Sequence, residues 1–199
     1  MSAAIEQLLS GAIPRLTVCP DGRLVQGAPI PAAVLPGSFN PRHAGHVGLA
    51  AAAAEILGVA VHFELSAVNV DKPALTADEI RRRIVQFAGQ GTVELTRAPT
   101  FLEKARLLPG VTFVVGADTA ERLVAARYYG GSGARMHAAL DEMIALGVRF
   151  LVAARRDATG HVSTLAEIAV PPRFATMFTQ IPENRFRVDV SSTELRQGT

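Results

Sequence analysis

From residue 32 onward, short apolar runs alternate with longer stretches built for helix, and no other feature of the chain restricts its fold as much. Residues 32–35 read as a short strand. Residues 44–57 are Ala-rich with no internal proline and read as a helix that Gly58 ends. Residues 59–68 carry the β-branched and aromatic residues of a strand. Thr76 caps a helix running to Phe87, with Glu79 three residues on as the reciprocal partner. Strand 92–95, helix 100–108, buried strand 111–115 and helix 118–126 follow. Helix 135–146, strand 148–153 and a last strand at 186–190 complete the series, and the last strand leads into a short helix at 192–196. Such alternation predicts an α/β sandwich of three layers, a mainly parallel sheet between two layers of helices. Ligands on such sheets sit beyond the carboxyl ends of the strands, so the segments that follow strands are where chemistry is expected.

The first thirty residues stand outside the pattern. Residues 5–9 suit a short helix, ended by Gly11 and Pro14, and residues 16–25 a hairpin around Pro20-Asp21-Gly22 that could cap one sheet edge. The expected organisation is an N-terminal extension over 1–30 and one domain over 31–199. With 199 residues, 49% of them apolar, the chain can bury one good core but not two large ones. A formal charge of +2 gives no case for nucleic acid. The N-terminus lacks the basic start and long apolar run of a signal peptide. The most apolar window, 47–61, contains Glu55 and is too short to span a bilayer. Cys19, the one cysteine, has no partner for an intramolecular disulfide, which fits a reducing compartment. The expectation is a cytoplasmic protein without a membrane partner, and a homo-oligomer is left open.

Between the first strand and its helix lies Gly37-Ser38-Phe39-Asn40-Pro41-Arg42-His43-Ala44-Gly45-His46. Gly37 has no Cβ and permits close approach of a ligand to the backbone. His43 and His46 are three apart and share one side of the helix's first turn. The free N–H groups of that turn favour an anion, and two imidazoles above them suit a polyphosphate. Either histidine alone would more often be incidental; the two together, with Gly45 between and Gly37-Ser38 behind, make a constellation. A metal centre is the weaker alternative, because no further Cys or carboxylate stands nearby in a zinc-like spacing.

This stretch resembles the G-[ST]-F-[DN]-P-x-H-x-G-H signature of the nucleotidyltransferase superfamily, and most resembles the nicotinamide or nicotinate mononucleotide adenylyltransferases. The resemblance runs from about Ala32 to Arg196. It implies a Rossmann-like fold in which His43 and His46 hold a triphosphate, with Gly37, Ser38 and Phe39 in the loop beneath it. Arg42 stands where the family commonly has a smaller or apolar residue. A second segment, Ser191-Ser192-Thr193-Glu194-Leu195-Arg196, resembles the family's I-S-S-T-x-x-R motif, so Ser192, Thr193 and Arg196 are expected on phosphate. Read without the resemblance, Ser192 simply caps a helix. Gly116-Ala117-Asp118 resembles the family's G-x-D segment at the sugar or base of the nucleotide; its plain reading is a turn with Asp118 as N-cap. Lys72 follows a strand and is a candidate for a phosphate, or else a solvated loop lysine. Arg155 or Arg156, after the strand at 148–153, could meet the base or the acceptor, or be surface residues. Tyr128 and Tyr129 could stack on an acceptor ring or pack.

The chemistry implied is attack of an acceptor phosphate on the α-phosphate of ATP, with release of pyrophosphate and no covalent protein intermediate. Catalysis is then positioning and charge neutralisation, with His43, His46, Lys72 and Arg196 as the catalytic set. Mg²⁺ would arrive on the nucleotide and need few protein ligands. The acceptor expected from the resemblance is nicotinamide or nicotinate mononucleotide, a step of NAD biosynthesis. Two alternatives stay open: a cytidylyl- or phosphopantetheine-type transferase of the same superfamily, and a nucleotide-binding module without catalysis.

Overall fold

The computed structural model describes residues 2–70, 73–156 and 160–188. In chain order its elements are α1 (Ser2–Ser10), β1 (Arg15–Val18), β2 (Leu24–Val25), β3 (Ala33–Pro36), α2 (Ala44–Leu57), β4 (Val61–Ser66), α3 (Ala77–Ile84) and β5 (Val93–Thr96). Then come α4 (Phe101–Leu107), β6 (Thr112–Gly116), α5 (Ala117–Leu123), α6 (Gly133–Ala145), β7 (Arg149–Arg156), β8 (Val162–Ser163), β9 (Phe178–Gln180) and β10 (Arg187–Val188). The helix starts follow local chemistry. Thr76 and Thr100 each accept a backbone N–H from the glutamate three residues on, and that glutamate accepts the threonine's own N–H in return. Gly58, in the left-handed region, closes α2.

The strands form one mixed sheet in the order β10-β7-β6-β3-β4-β5-β1-β2, with β8 and β9 also paired to β7. Its centre is parallel: β5 on β4, β4 on β3, β3 on β6 and β6 on β7. The hairpin expected around Pro20-Asp21-Gly22 is present, and β1 pairs antiparallel with β5 along four residues, so it continues the sheet at that edge. The expected α/β sandwich with a mainly parallel sheet is the architecture observed. Strands β8 and β9 and the short 3₁₀ turns at Leu165–Glu167 and Pro172–Met177 were not anticipated.

Period-two alternation along the strands divides the apolar residues between the two faces. Leu35, Phe63, Leu65, Leu95, Val114 and Leu151 pack with α1, α2 and α3. Val34, Phe113, Val115, Phe150 and Val152 pack with α4, α5 and α6. On this second face the sheet turns polar along β4, β5 and β1. Glu64 is fully buried, gripped by Lys104 Nζ at 2.6 Å to both oxygens and by Thr96 Oγ1 at 2.7 Å. Glu94, also fully buried, accepts from Thr17 Oγ1 at 2.7 Å and Arg15 Nη1 at 3.0 Å, and lies 2.8 Å from His62 Nδ1. Among the described residues no helix is long and apolar enough to cross a membrane.

Candidate active site

Parallel pairing of β3 with β4 carries on one step past the strand end, where the Gly37 N–H donates to the Glu64 carbonyl at 2.9 Å. A Cβ on Gly37 would lie 2.7 Å from the Phe39 ring, so only glycine lets that ring fold back beneath the loop. Phe39 is wholly buried and meets Phe63, Phe87 and His46 edge-on, with ring centroids 5.6, 5.1 and 5.0 Å apart. Its backbone takes φ +45°, the left-handed region that costs a non-glycine residue on the order of 1 kcal/mol or more. The Asn40–Pro41 peptide is cis.

The chain then enters α2 through His43, the N-cap, in extended backbone. Its N–H donates to Nδ1 of His46 at 3.2 Å, and its carbonyl accepts the His46 N–H at 3.0 Å. An Nδ1 that accepts must be unprotonated, so the proton of a neutral His46 sits on Nε2. The two imidazoles lie 3.8 Å apart, tilted by 30°. Burial, then the neighbouring His43 and Arg42, push the His46 pKa down to about 4. Burial and the charge of Arg155 lower that of His43. At neutral pH, before any ligand binds, the pair are neutral hydrogen-bonding groups, because desolvation disfavours the charged form. His43 Nδ1 is buried with no hydrogen-bond partner among the described residues, an uncommon condition for a polar atom in a native structure.

A second strand end faces the same histidines. At the β6–α5 junction the N-cap is Gly116, not Asp118. Asp118 lies in the first turn, and its carboxylate takes Arg155 Nη1 at 2.7 Å. A Cβ on Gly116 would fall 2.7 Å from the other oxygen of that carboxylate, Oδ1, so the glycine makes room for it. Arg155, near the end of β7, thereby links the G-x-D segment to His43, whose pKa its charge lowers. An open cavity of about 430 Å³ adjoins Asp118, with Glu121, His161, Thr164 and Glu167 among its walls.

His43, His46, Gly37, Phe39, Gly116 and Asp118 are thus gathered at the carboxyl ends of β3, β6 and β7. Ser38 sits in the same loop with its carbonyl turned to Arg83. Lys72, Ser192, Thr193 and Arg196 lie outside the described residues. Tyr129 packs, its hydroxyl donating to the Leu123 carbonyl at 2.9 Å. Tyr128 is exposed between the guanidinium groups of Arg122 and Arg127. Sequence reading missed what holds the loop from below. Arg83 Nη1 donates to the Ser38 carbonyl at 2.9 Å, Gln86 bonds both Phe39 and Arg42, and Arg42 reaches Gln90 while lying over the Phe87 ring. Nothing in the local pattern of residues 83–90 points to a loop more than forty positions upstream. Among the described residues no group of three or more His, Cys, Asp or Glu is placed to hold a metal ion.

A model of the cytidylyltransferase-like family matches residues 34–198. A comparison with curated proteins finds no match. The family match spans both strand-end segments that build the site and most of the chain, and this chain belongs to the cytidylyltransferase-like family, of nucleotidyltransferase type.

Proposed function

We propose that this nucleotidyltransferase moves adenylate from ATP to a phosphate-bearing acceptor, nicotinamide or nicotinate mononucleotide, and releases pyrophosphate. The observation that carries the reading is the histidine pair at the start of α2. Nδ1 of His46 is occupied by the His43 N–H, which leaves the proton of the neutral ring on Nε2 as a donor. A neutral donor held in place costs no reorganisation as charge builds on the phosphates, which is how preorganised sites lower a barrier.

The reaction needs no covalent protein intermediate. An acceptor phosphate oxygen attacks the α-phosphorus in line, the bond from that phosphorus to the bridging oxygen breaks, and pyrophosphate leaves with the electron pair. His46, His43 and the loop 37–42 would orient the triphosphate. Arg155, held by Asp118 at 2.7 Å, would supply positive charge from the opposite strand end. Lys72 and Arg196, with Ser192 and Thr193, complete the set by resemblance. A donor set of imidazole and guanidinium suits phosphate oxygens. Mg²⁺ would enter on the triphosphate, keeping most of its shell from phosphate and water.

Groups at helix N-termini read phosphate, which every nucleoside triphosphate carries, so base choice falls to backbone groups beyond β6 and β7. The family description favours a second reading, transfer of cytidylate. Pyrophosphate release with each of the four ribonucleoside triphosphates, at equal concentration with Mg²⁺ across a panel of phosphate acceptors, decides between them. ATP with a pyridine mononucleotide should be fastest. A clear lead for CTP would replace the adenylyl assignment. ATP binding without turnover on any acceptor would favour a nucleotide-binding module.

A further inference from the structure

Three carbonyl and amide groups of the loop 38–42 are held by side chains of α3 and the 3₁₀ turn that follows it, Val85–Phe87. Arg83 Nη1 donates to the Ser38 carbonyl at 2.9 Å. Gln86 Nε2 donates to the Phe39 carbonyl at 3.0 Å, and its Oε1 accepts the Arg42 N–H at 2.8 Å. One carboxamide therefore spans the turn, fixing a carbonyl before Pro41 and an amide after it. The consequence lies on the other side of the chain. In a trans peptide the N–H points opposite to the C=O. With the carbonyls of Ser38 and Phe39 drawn toward α3, the N–H groups of Phe39 and Asn40 are turned away from it. Two successive N–H groups turned to one side, around a residue in the left-handed region, are the backbone arrangement that suits an anion. Released carbonyls could rotate and present oxygen where a phosphate requires hydrogen.

We propose that Gln86 is a positioning residue of the triphosphate site, its carboxamide bridging the Phe39 carbonyl and the Arg42 N–H so that the loop's amides face the phosphates. This rests on the reading that a nucleoside triphosphate binds over the loop and His46. Gln86 touches no substrate; it acts through the backbone of residues 39–42.

The test uses the full chain and two variants. Gln86→Met keeps the length of the side chain and removes both hydrogen bonds to the loop, together with the one to the Arg83 carbonyl. Gln86→Glu keeps an acceptor for the Arg42 N–H but sets an oxygen against the Phe39 carbonyl. Initial rates of pyrophosphate release are measured with ATP–Mg²⁺ and with the acceptor varied separately, alongside thermal melts. For Gln86→Met the KM for ATP should rise about tenfold, the scale of losing one or two neutral hydrogen bonds, with a lower kcat. The acceptor KM should stay within about twofold, and Gln86→Glu should be worse than Gln86→Met. A purely structural side chain would lower the melting temperature and leave the ATP KM alone, and that result overturns the proposal. So does an equal rise in both Michaelis constants. If Gln86→Met does not fold, the split is read on Gln86→Glu. If wild-type protein transfers to no acceptor, the proposed transfer reaction fails by itself, and calorimetric titration with ATP judges the clamp. A tenfold weaker Kd in the variant supports it; an unchanged Kd, or no ATP binding by the wild type, overturns it.

Discussion

Replacing His46 by asparagine separates two things that the imidazole does. The carboxamide oxygen can take the place of Nδ1 and accept the His43 N–H, which keeps the start of α2 in order. It has nothing where Nε2 stands. His46→Asn is expected to melt near the wild-type temperature yet lose turnover by roughly 100-fold or more, the scale of removing one well-placed electrostatic donor. Near wild-type turnover on every acceptor would remove His46 from the chemistry. The same residue makes stability depend on pH. In the unfolded chain a histidine titrates near 6.5, whereas folding lowers that of His46 to about 4. As pH falls through this interval the unfolded state takes up the proton first. Stability present above pH 6.5 is therefore lost progressively down to about 4. His43, lowered in the same direction, adds to the loss. Melting temperatures at pH 7 and pH 4.5 should differ less for His46→Asn than for the wild type; parallel curves would show that another group sets the acid limit.

Elements with a local rule were legible from the chain. The capping box at Thr76, the Ala-rich α2 and the apolar run of β6 need only neighbouring residues to be recognised. β8 and β9 had no such signal, being two and three residues long and defined by pairing with β7, a long-range contact. Alternation along Val61–Ser66 shows polar residues on one side of β4, which ordinarily means a solvent-facing side. Here Glu64 is buried because Lys104, reaching from α4, covers it. That partner is forty positions away, and no periodicity announces it. Lys104→Met should therefore be costly, on the order of 3–5 kcal/mol by urea denaturation, because it leaves a buried carboxylate without its counter-charge. Adding Glu64→Leu should restore part of the loss. A single variant within ~0.5 kcal/mol of the wild type would show that Glu64 is relieved by water or protonation instead.

At the scale of the whole molecule, the family match begins at residue 34, but the sheet begins earlier. β1 covers the edge of β5 and brings Arg15 and Thr17 to the buried Glu94. Deleting residues 1–31 would strip two of its three partners from that carboxylate, leaving only His62, and bare the edge of β5, a template for pairing between chains. The shortened protein should lose its cooperative melt or aggregate, as read by circular dichroism and light scattering; a soluble chain melting near the wild type would show that the hairpin is dispensable. The site was legible where its groups are contiguous in sequence, as at 37–46 and 116–118, and opaque where the contact is long-range, as for Gln86 with Phe39 or Arg155 with Asp118. Phe39 joins these scales, since the ring that lies under the loop is also part of the apolar cluster containing Ile5, Leu16 and Leu95. A loop anchored in the core has little freedom left to lose when a ligand arrives. Nucleotide association at this surface should resemble docking onto a finished mould: the loop adds little ordering entropy and little heat-capacity change to the binding, and encounter rather than rearrangement of the loop sets its share of the on-rate.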